Sequence, residues 1–158
     1  MTTARMDLIL WRHAEAFELR ELTDDLDRAL TPKGERQAQR MATWLNRHLT
    51  AGTRVIASPA RRTQQTAQAL DRRFKTLAAL APDGTVEGLL AAARWPDARD
   101  AVLVVGHQPT LGLAVSYLLT GQPEPWALRK GALVWLRARE RDGQAQVVLH
   151  GAIAPDLL

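Results

Sequence analysis

Leu8-Ile9-Leu10-Trp11-Arg12-His13 is an unbroken apolar run that stops on a guanidinium and an imidazole. Such a run, bounded by polar residues, reads as a strand buried on both faces, as at the centre of a parallel sheet. Val102-Leu103-Val104-Val105 has the same character and is broken by Gly106, with His107 next. Arg54-Val55-Ile56-Ala57 is a shorter strand, followed by Ser58-Pro59 and then Arg61-Arg62. Leu77 to Leu80 is read as a third strand in chain order, after Leu8 to Trp11 and Arg54 to Ala57.

Helical patterns separate these runs. Thr31-Pro32 is an N-cap followed by proline at the first helical position. Ala38, Met41, Ala42, Leu45 and Leu49 then form a stripe at helical spacing, ended by Ala51-Gly52. Ser58-Pro59 is expected to open a second helix with Thr66, Ala69 and Leu70 inward. Thr85 to Ala93 and Pro109 to Leu119 are expected to form two more, the last serving as core or as an interface. Glu18 to Arg28 is acidic and irregular, and is read as a loop. Leu133 to Leu136 and Gln146 to Leu149 form a late hairpin turned by Arg141-Asp142-Gly143. The expected fold is a single α/β domain over residues 1–158: a mainly parallel sheet, helices on both faces, and an antiparallel edge.

Composition narrows the function. The 158 residues include no cysteine, which excludes disulfides, thiolate metal sites and cysteine nucleophiles and suits a reducing compartment. No apolar run approaches the ~20 residues of a membrane span, so a soluble, cytoplasmic protein is expected. The formal charge is +4, and every basic residue except Lys33, Lys75 and Lys130 is arginine. Arginine suits bidentate binding of oxyanions, although coding bias accounts equally well for most surface arginines. The basic residues are dispersed, without a run of five or aromatic interleaving, which argues against nucleic-acid binding.

In open α/β sheets, ligands bind beyond the carboxyl ends of the parallel strands. Arg12-His13, Ser58 with Arg61-Arg62, and Gly106-His107 all fall there. Singly, each has an ordinary structural account: a hydrogen-bonded histidine, a helix start, a turn glycine, or Arg12 as an ion-pair partner of Asp24, Asp25 or Asp27. Jointly they define a small cationic pocket suited to a tetrahedral oxyanion, with helix N-termini at Pro59 and Pro109 aimed at it. Neutral imidazole is a competent phosphoryl acceptor, because its ring nitrogen is nucleophilic without losing a proton. Neither His48, near the end of the first helix, nor His150, at the end of the last strand, is given a catalytic role.

These strings also resemble a known family. LWRHAEA resembles the arginine–histidine–glycine signature of the histidine phosphatase superfamily, with Arg12 and His13 in the matching places. RALTPKGERQA, SPARRTQQTA and VLVVGHQPTL resemble its following segments, with the second arginine at Arg62 and the second histidine at His107. The short chain is similar to the SixA-type branch, phosphohistidine phosphatases with a three-layer α/β/α fold. The resemblance implies that His13 accepts the phosphoryl group, that Arg12, Arg62 and His107 hold its oxygens, and that neither metal nor cofactor is needed. It implies a phosphorylated protein of the phosphorelay kind as partner, or else a small phosphomonoester. A non-catalytic phosphate-binding module is the rival from another class.

Two departures stand out. Ala14 occupies the usual glycine position, tolerable if its φ is negative. Many members carry an acid on the loop after the third strand, where Asp83 and Glu87 are the candidates. Asp83 reads better as a turn former before Gly84, and Glu87 as an exposed first-turn helix residue. Glu15 is a further candidate to contact the site.

Overall fold

A computed structural model describes residues 5–158. Strand β1 is Arg5–Arg12, β2 Arg54–Ala57, β3 Lys75–Thr76, β4 Val102–Gly106, β5 Leu133–Arg141 and β6 Gln144–Ile153. They form one sheet in the order β3-β2-β4-β1-β5-β6. The first four are mutually parallel where they pair, while β5 runs antiparallel to β1 and β6 to β5. The helices are α1 (Pro32–His48), α2 (Arg61–Gln68), α3 (Val86–Ala93) and α4 (Thr110–Thr120).

Strand alternation sends successive side chains to opposite faces, so a strand that is apolar throughout must be covered twice. Ile9 and Trp11 of β1, with Leu103 and Val105 of β4, pack with Met41, Ala42 and Leu45 of α1 and Ala67 of α2. Leu8, Leu10, Val102 and Val104 point the other way and pack with Leu89 of α3 and Leu111, Ala114 and Val115 of α4. The result is the expected three-layer α/β/α sandwich with an antiparallel edge.

Several boundaries differ from the expectation. Leu77 to Leu80 is not a strand: β3 is Lys75–Thr76, paired with Ile56 and Ala57, and Ala78–Leu80 forms a 3-10 turn. The turn buries Leu80 in the core while Ala78 and Ala79 stay outside, a one-sided burial that a two-faced strand would not give. Helix α2 opens at Arg61 and not at Pro59, because the Ser58 hydroxyl accepts from Ala60 N–H at 3.2 Å and holds Ser58–Ala60 in a turn. Helix α4 starts at Thr110 with Pro109 as N-cap, and Gly106 closes β4 without breaking it. The hairpin strands run well past the expected segments, because the exposed outer ends pair with each other and need no second layer. Asp142 and Gly143 both have positive φ, as a tight hairpin turn demands. The acidic loop contains a short 3-10 turn, Asp25–Asp27.

The start of α1 is pinned to the loop after β1. Thr31 Oγ1 accepts from Gly34 N–H at 3.0 Å and donates to Glu15 Oε2 at 2.7 Å. A methyl group on Gly34 would overlap the Glu15 carbonyl oxygen, so glycine permits the approach.

Candidate active site

Register brings the strand ends together. Arg12, the last residue of β1, lies beside Gly106, the last of β4. The backbone then continues the ladder by one step, with His13 N–H donating to Gly106 O at 3.1 Å and Ser58 N–H to Val105 O at 3.1 Å. His13 and His107 therefore leave adjacent strands at the same level, and their rings stand 5.3 Å apart, inclined at 56°. Arg62 reaches the same place from the first turn of α2, which Thr66 ties to the loop: its Oγ1 accepts from Ala14 N–H at 3.1 Å and donates to Arg62 O at 2.7 Å. Arg12 is turned toward the chain before β5, where its Nη1 donates to Leu128 O at 2.6 Å.

The hydrogen bonds set the tautomer of His13 and admit one for His107 that suits an anion site. A carbonyl can only accept, so His13 Nδ1 carries a proton toward Ala14 O at 2.7 Å, and Nε2 keeps its lone pair. Ser58 Oγ accepts from Ala60 N–H and lies 2.7 Å from His107 Nε2. When the serine hydrogen is directed to that nitrogen, the His107 proton sits on Nδ1.

The electrostatics of both rings follow from burial among cations. Burial pushes His13 down to about 4, against the raising effect of the Ala14 carbonyl, and Arg62, Arg12 and Arg28 push the same way as burial. Burial pushes His107 down to about 3, helped by His13, Arg62 and Arg12 and opposed by Asp25. Both rings are neutral at pH 7, while the guanidiniums stay charged.

Such groups make folding pH-dependent. The unfolded histidines take up protons below their ordinary value near 6.5, whereas the folded ones resist until about 4 and 3. The unfolded state binds more protons in that window, so stability rises with pH through it and is lost as pH falls. Two such groups are expected to lower the unfolding free energy by on the order of 2–4 kcal/mol between pH 7 and 5. Urea denaturation at the two pH values measures this. A His13→Asn, His107→Asn double variant should lose most of the difference, and an unchanged difference would assign it to other groups.

Among the described residues, five buried side-chain nitrogens have no partner, and three of them are Arg12 Nε, Arg62 Nε and His107 Nδ1. Buried donors normally pair. Three orphans among residues that already perturb one another's protonation mark a place built to surround an anion. Among the described residues no group of three or more His, Cys, Asp or Glu side chains is disposed to hold a metal ion.

Arg12, His13, Arg62 and His107 thus converge, as the strand-end argument expects. Glu15 does not join them: its carboxylate takes the Thr31 hydroxyl and its backbone N–H donates to Gln37 Oε1 at 2.9 Å, so it anchors α1. Asp83 and Glu87 are exposed and take part in none of the side-chain hydrogen bonds of the four. Arg61 is exposed. Ala14 has negative φ, and its methyl group packs with Ala16, Leu30 and Ala38. The glycine position is therefore filled without crowding the histidines.

Sequence reasoning missed the partner of Arg62. Asp25 was expected, if anything, to pair with Arg12. Instead its backbone oxygen accepts from Arg62 Nη1 at 2.8 Å and its Oδ2 from Nη2 at 3.1 Å, while Oδ1 takes Arg28 Nε at 3.0 Å. Burial raises the Asp25 carboxyl, but Arg62 and Arg28 outweigh it and hold the group below the usual carboxylate range. The three-residue spacing of Asp25 and Arg28 hints at their own pairing. Nothing in the sequence points from Asp25 to Arg62.

Comparison with known proteins agrees with this geometry. The profile of the histidine phosphatase superfamily (branch 1) matches residues 8–87. The chain belongs to that superfamily, and it is a phosphatase. It is similar to proteins of the SixA type over most of its length. Phosphohistidine phosphatase SixA of Escherichia coli K12 is 31% identical over 129 residues, covering 76% of this chain and 78% of that protein. A candidate SixA from Nakamurella multipartitia superposes with TM-score 0.79 at 30% identity, over 96% of this chain and 97% of that one. A protein histidine phosphatase SixA solved with tungstate superposes with TM-score 0.75 at 25% identity, over 96% and 98%.

Proposed function

We propose that this chain removes the phosphoryl group from phosphohistidine on a protein, without a metal ion, through a phosphohistidine formed on His13. The observation that carries the reading is the fixed tautomer of His13. With Nδ1 committed to the Ala14 carbonyl, the Nε2 lone pair is free beside three unpartnered donors. In the first step His13 Nε2 attacks phosphorus, and the bond from phosphorus to the departing group breaks with its electron pair leaving on that group. Arg12, Arg62 and the Nδ1–H of His107 hold the equatorial oxygens, whose charge is greatest in the transition state. Water then attacks the phosphorylated His13, releasing phosphate and restoring the neutral ring.

Leaving-group chemistry supports a phosphoramidate over an alkyl ester. An alkoxide needs a proton from an acid, and the carboxylate placed against Arg62 is Asp25, held ionised between two guanidiniums. A departing imidazole needs no such donation. A protein as substrate is supported by the loop that carries Asp25. Phe17, Leu19, Leu22 and Leu26 are all exposed on it, Leu22 completely, and an apolar group of this kind beside a buried cationic site suits a macromolecular surface. The absence of cysteine supports a cytoplasmic setting. No helix among the described residues is long and apolar enough to cross a membrane.

Phosphate release in excess chelator tests the reading, comparing a histidine-phosphorylated protein with a simple alkyl phosphomonoester. A preference of at least tenfold in kcat/KM for the phosphohistidine protein is expected. Preference for the ester would make this a phosphatase of small phosphomonoesters, and release that stops on adding chelator would overturn metal independence.

A further inference from the structure

The two histidines and Arg62 are almost completely buried, whereas the Asp25 side chain, paired with Arg62, is 39% exposed. In-line displacement puts the departing group opposite the attacking nitrogen, so a group displaced by a buried His13 leaves toward the mouth of the site. The anionic side chain bonded to Arg62 and open to solvent is Asp25. Each of its oxygens accepts one hydrogen bond, Oδ1 from Arg28 and Oδ2 from Arg62, and each retains a free lone pair. The two arginines fix the carboxylate in place and leave it accepting capacity.

We infer that Asp25 is a specificity-determining residue: its carboxylate accepts the ring N–H of the departing imidazole and so selects phosphorus–nitrogen over phosphorus–oxygen substrates. This rests on the phosphohistidine reading above. A phosphorylated imidazole is most reactive when its far ring nitrogen is protonated, because the ring then departs neutral. In that step the bond from His13 Nε2 to phosphorus forms and the phosphorus–nitrogen bond of the substrate breaks. Its electron pair returns to the substrate ring, and the far N–H keeps its proton. A carboxylate facing that N–H favours the cationic, reactive form through a charge-assisted hydrogen bond. An aryl or alkyl phosphate offers no such proton, and its departing oxygen is repelled by the same carboxylate.

A simpler role for Asp25 would be to orient Arg62, and a second would be to obstruct it. One experiment separates the three. Asp25→Asn keeps the shape of the side chain in an exposed turn and removes its charge. The readout is the ratio of kcat/KM for a phosphohistidine peptide to that for para-nitrophenyl phosphate, whose phenolate departs without proton assistance. The ratio is expected to fall tenfold or more in Asp25→Asn, with the phosphohistidine reaction losing most. Equal losses on both substrates would reduce Asp25 to orienting Arg62, and equal gains would make it an obstruction; either overturns the inference. A wild-type protein that releases no phosphate from the peptide would overturn the phosphohistidine reading itself, whereas parallel changes in the variant overturn only the assignment to Asp25.

Discussion

Replacing His13 with alanine is expected to lower turnover by roughly 10⁴-fold or more, because the covalent route disappears and water must attack the substrate phosphoryl group directly, with no base to activate it. The pocket should nevertheless survive. His13 contributes its backbone N–H to the Gly106 carbonyl and its own carbonyl to Gly131 N–H, and neither bond needs the imidazole. Arg12, Arg62 and His107 keep their unpartnered donors, so inorganic phosphate should still bind to the variant. Two measurements decide the matter together: steady-state phosphate release, and trapping of a labelled phosphoenzyme by an alkaline quench. The wild type should yield label stable to base and labile to acid, as expected of a phosphorus–nitrogen bond, and His13→Ala should yield none. Substantial turnover in the variant would place the nucleophile elsewhere.

Arg62→Ala should cost less than His13→Ala, and by a different route. The guanidinium lies in a water-poor site among other cations, where a preorganised donor to a developing oxyanion is worth about 10²–10³ in rate. Both kcat and KM should worsen, since Arg62 holds the same oxygens before and during the reaction. Arg62→Lys is expected to recover only part of the loss. A lysine restores a point charge, but it has no fork to hold Asp25 on one side while presenting Nε–H on the other. Kinetics on one substrate, with inorganic phosphate as competitive inhibitor, test this directly. A kcat/KM within a few-fold of wild type in Arg62→Ala would remove Arg62 from the phosphate site.

The contrast between His13 and Glu15 shows where a sequence stops being readable. Both lie in one short stretch after the same strand, and both carry groups that suit a phosphate site. His13 is held at the sheet end by the β1–β4 register. The Glu15 carboxylate is taken by Thr31, sixteen residues away, to build the start of α1. Leu77 to Leu80 teaches the same lesson about fold: a four-residue apolar run with two alanines at its middle serves equally as a strand or as a turn with one buried leucine. The runs at Leu8 and Val102, of the same length, were legible because large apolar side chains fill every position and both of their faces are buried, leaving no position for a polar residue.

The order of the elements, the sandwich of helices over a parallel sheet and the places of Arg12, His13 and His107 at strand ends were legible in the sequence alone, while the choice of Arg62 over Arg61 came from the resemblance to the family. Their determinants are local or periodic: apolar runs, helical stripes, caps, and the chain's direction at the end of each strand. Tertiary structure decided which histidine nitrogen is free, since the Ala14 carbonyl is aimed by the backbone after β1. It also decided that Asp25 meets Arg62 across 37 residues of chain and does not meet Arg12. A hydrogen bond goes to whatever partner lies within about 3 Å at the right angle, and that neighbour is chosen by the packing of the whole domain.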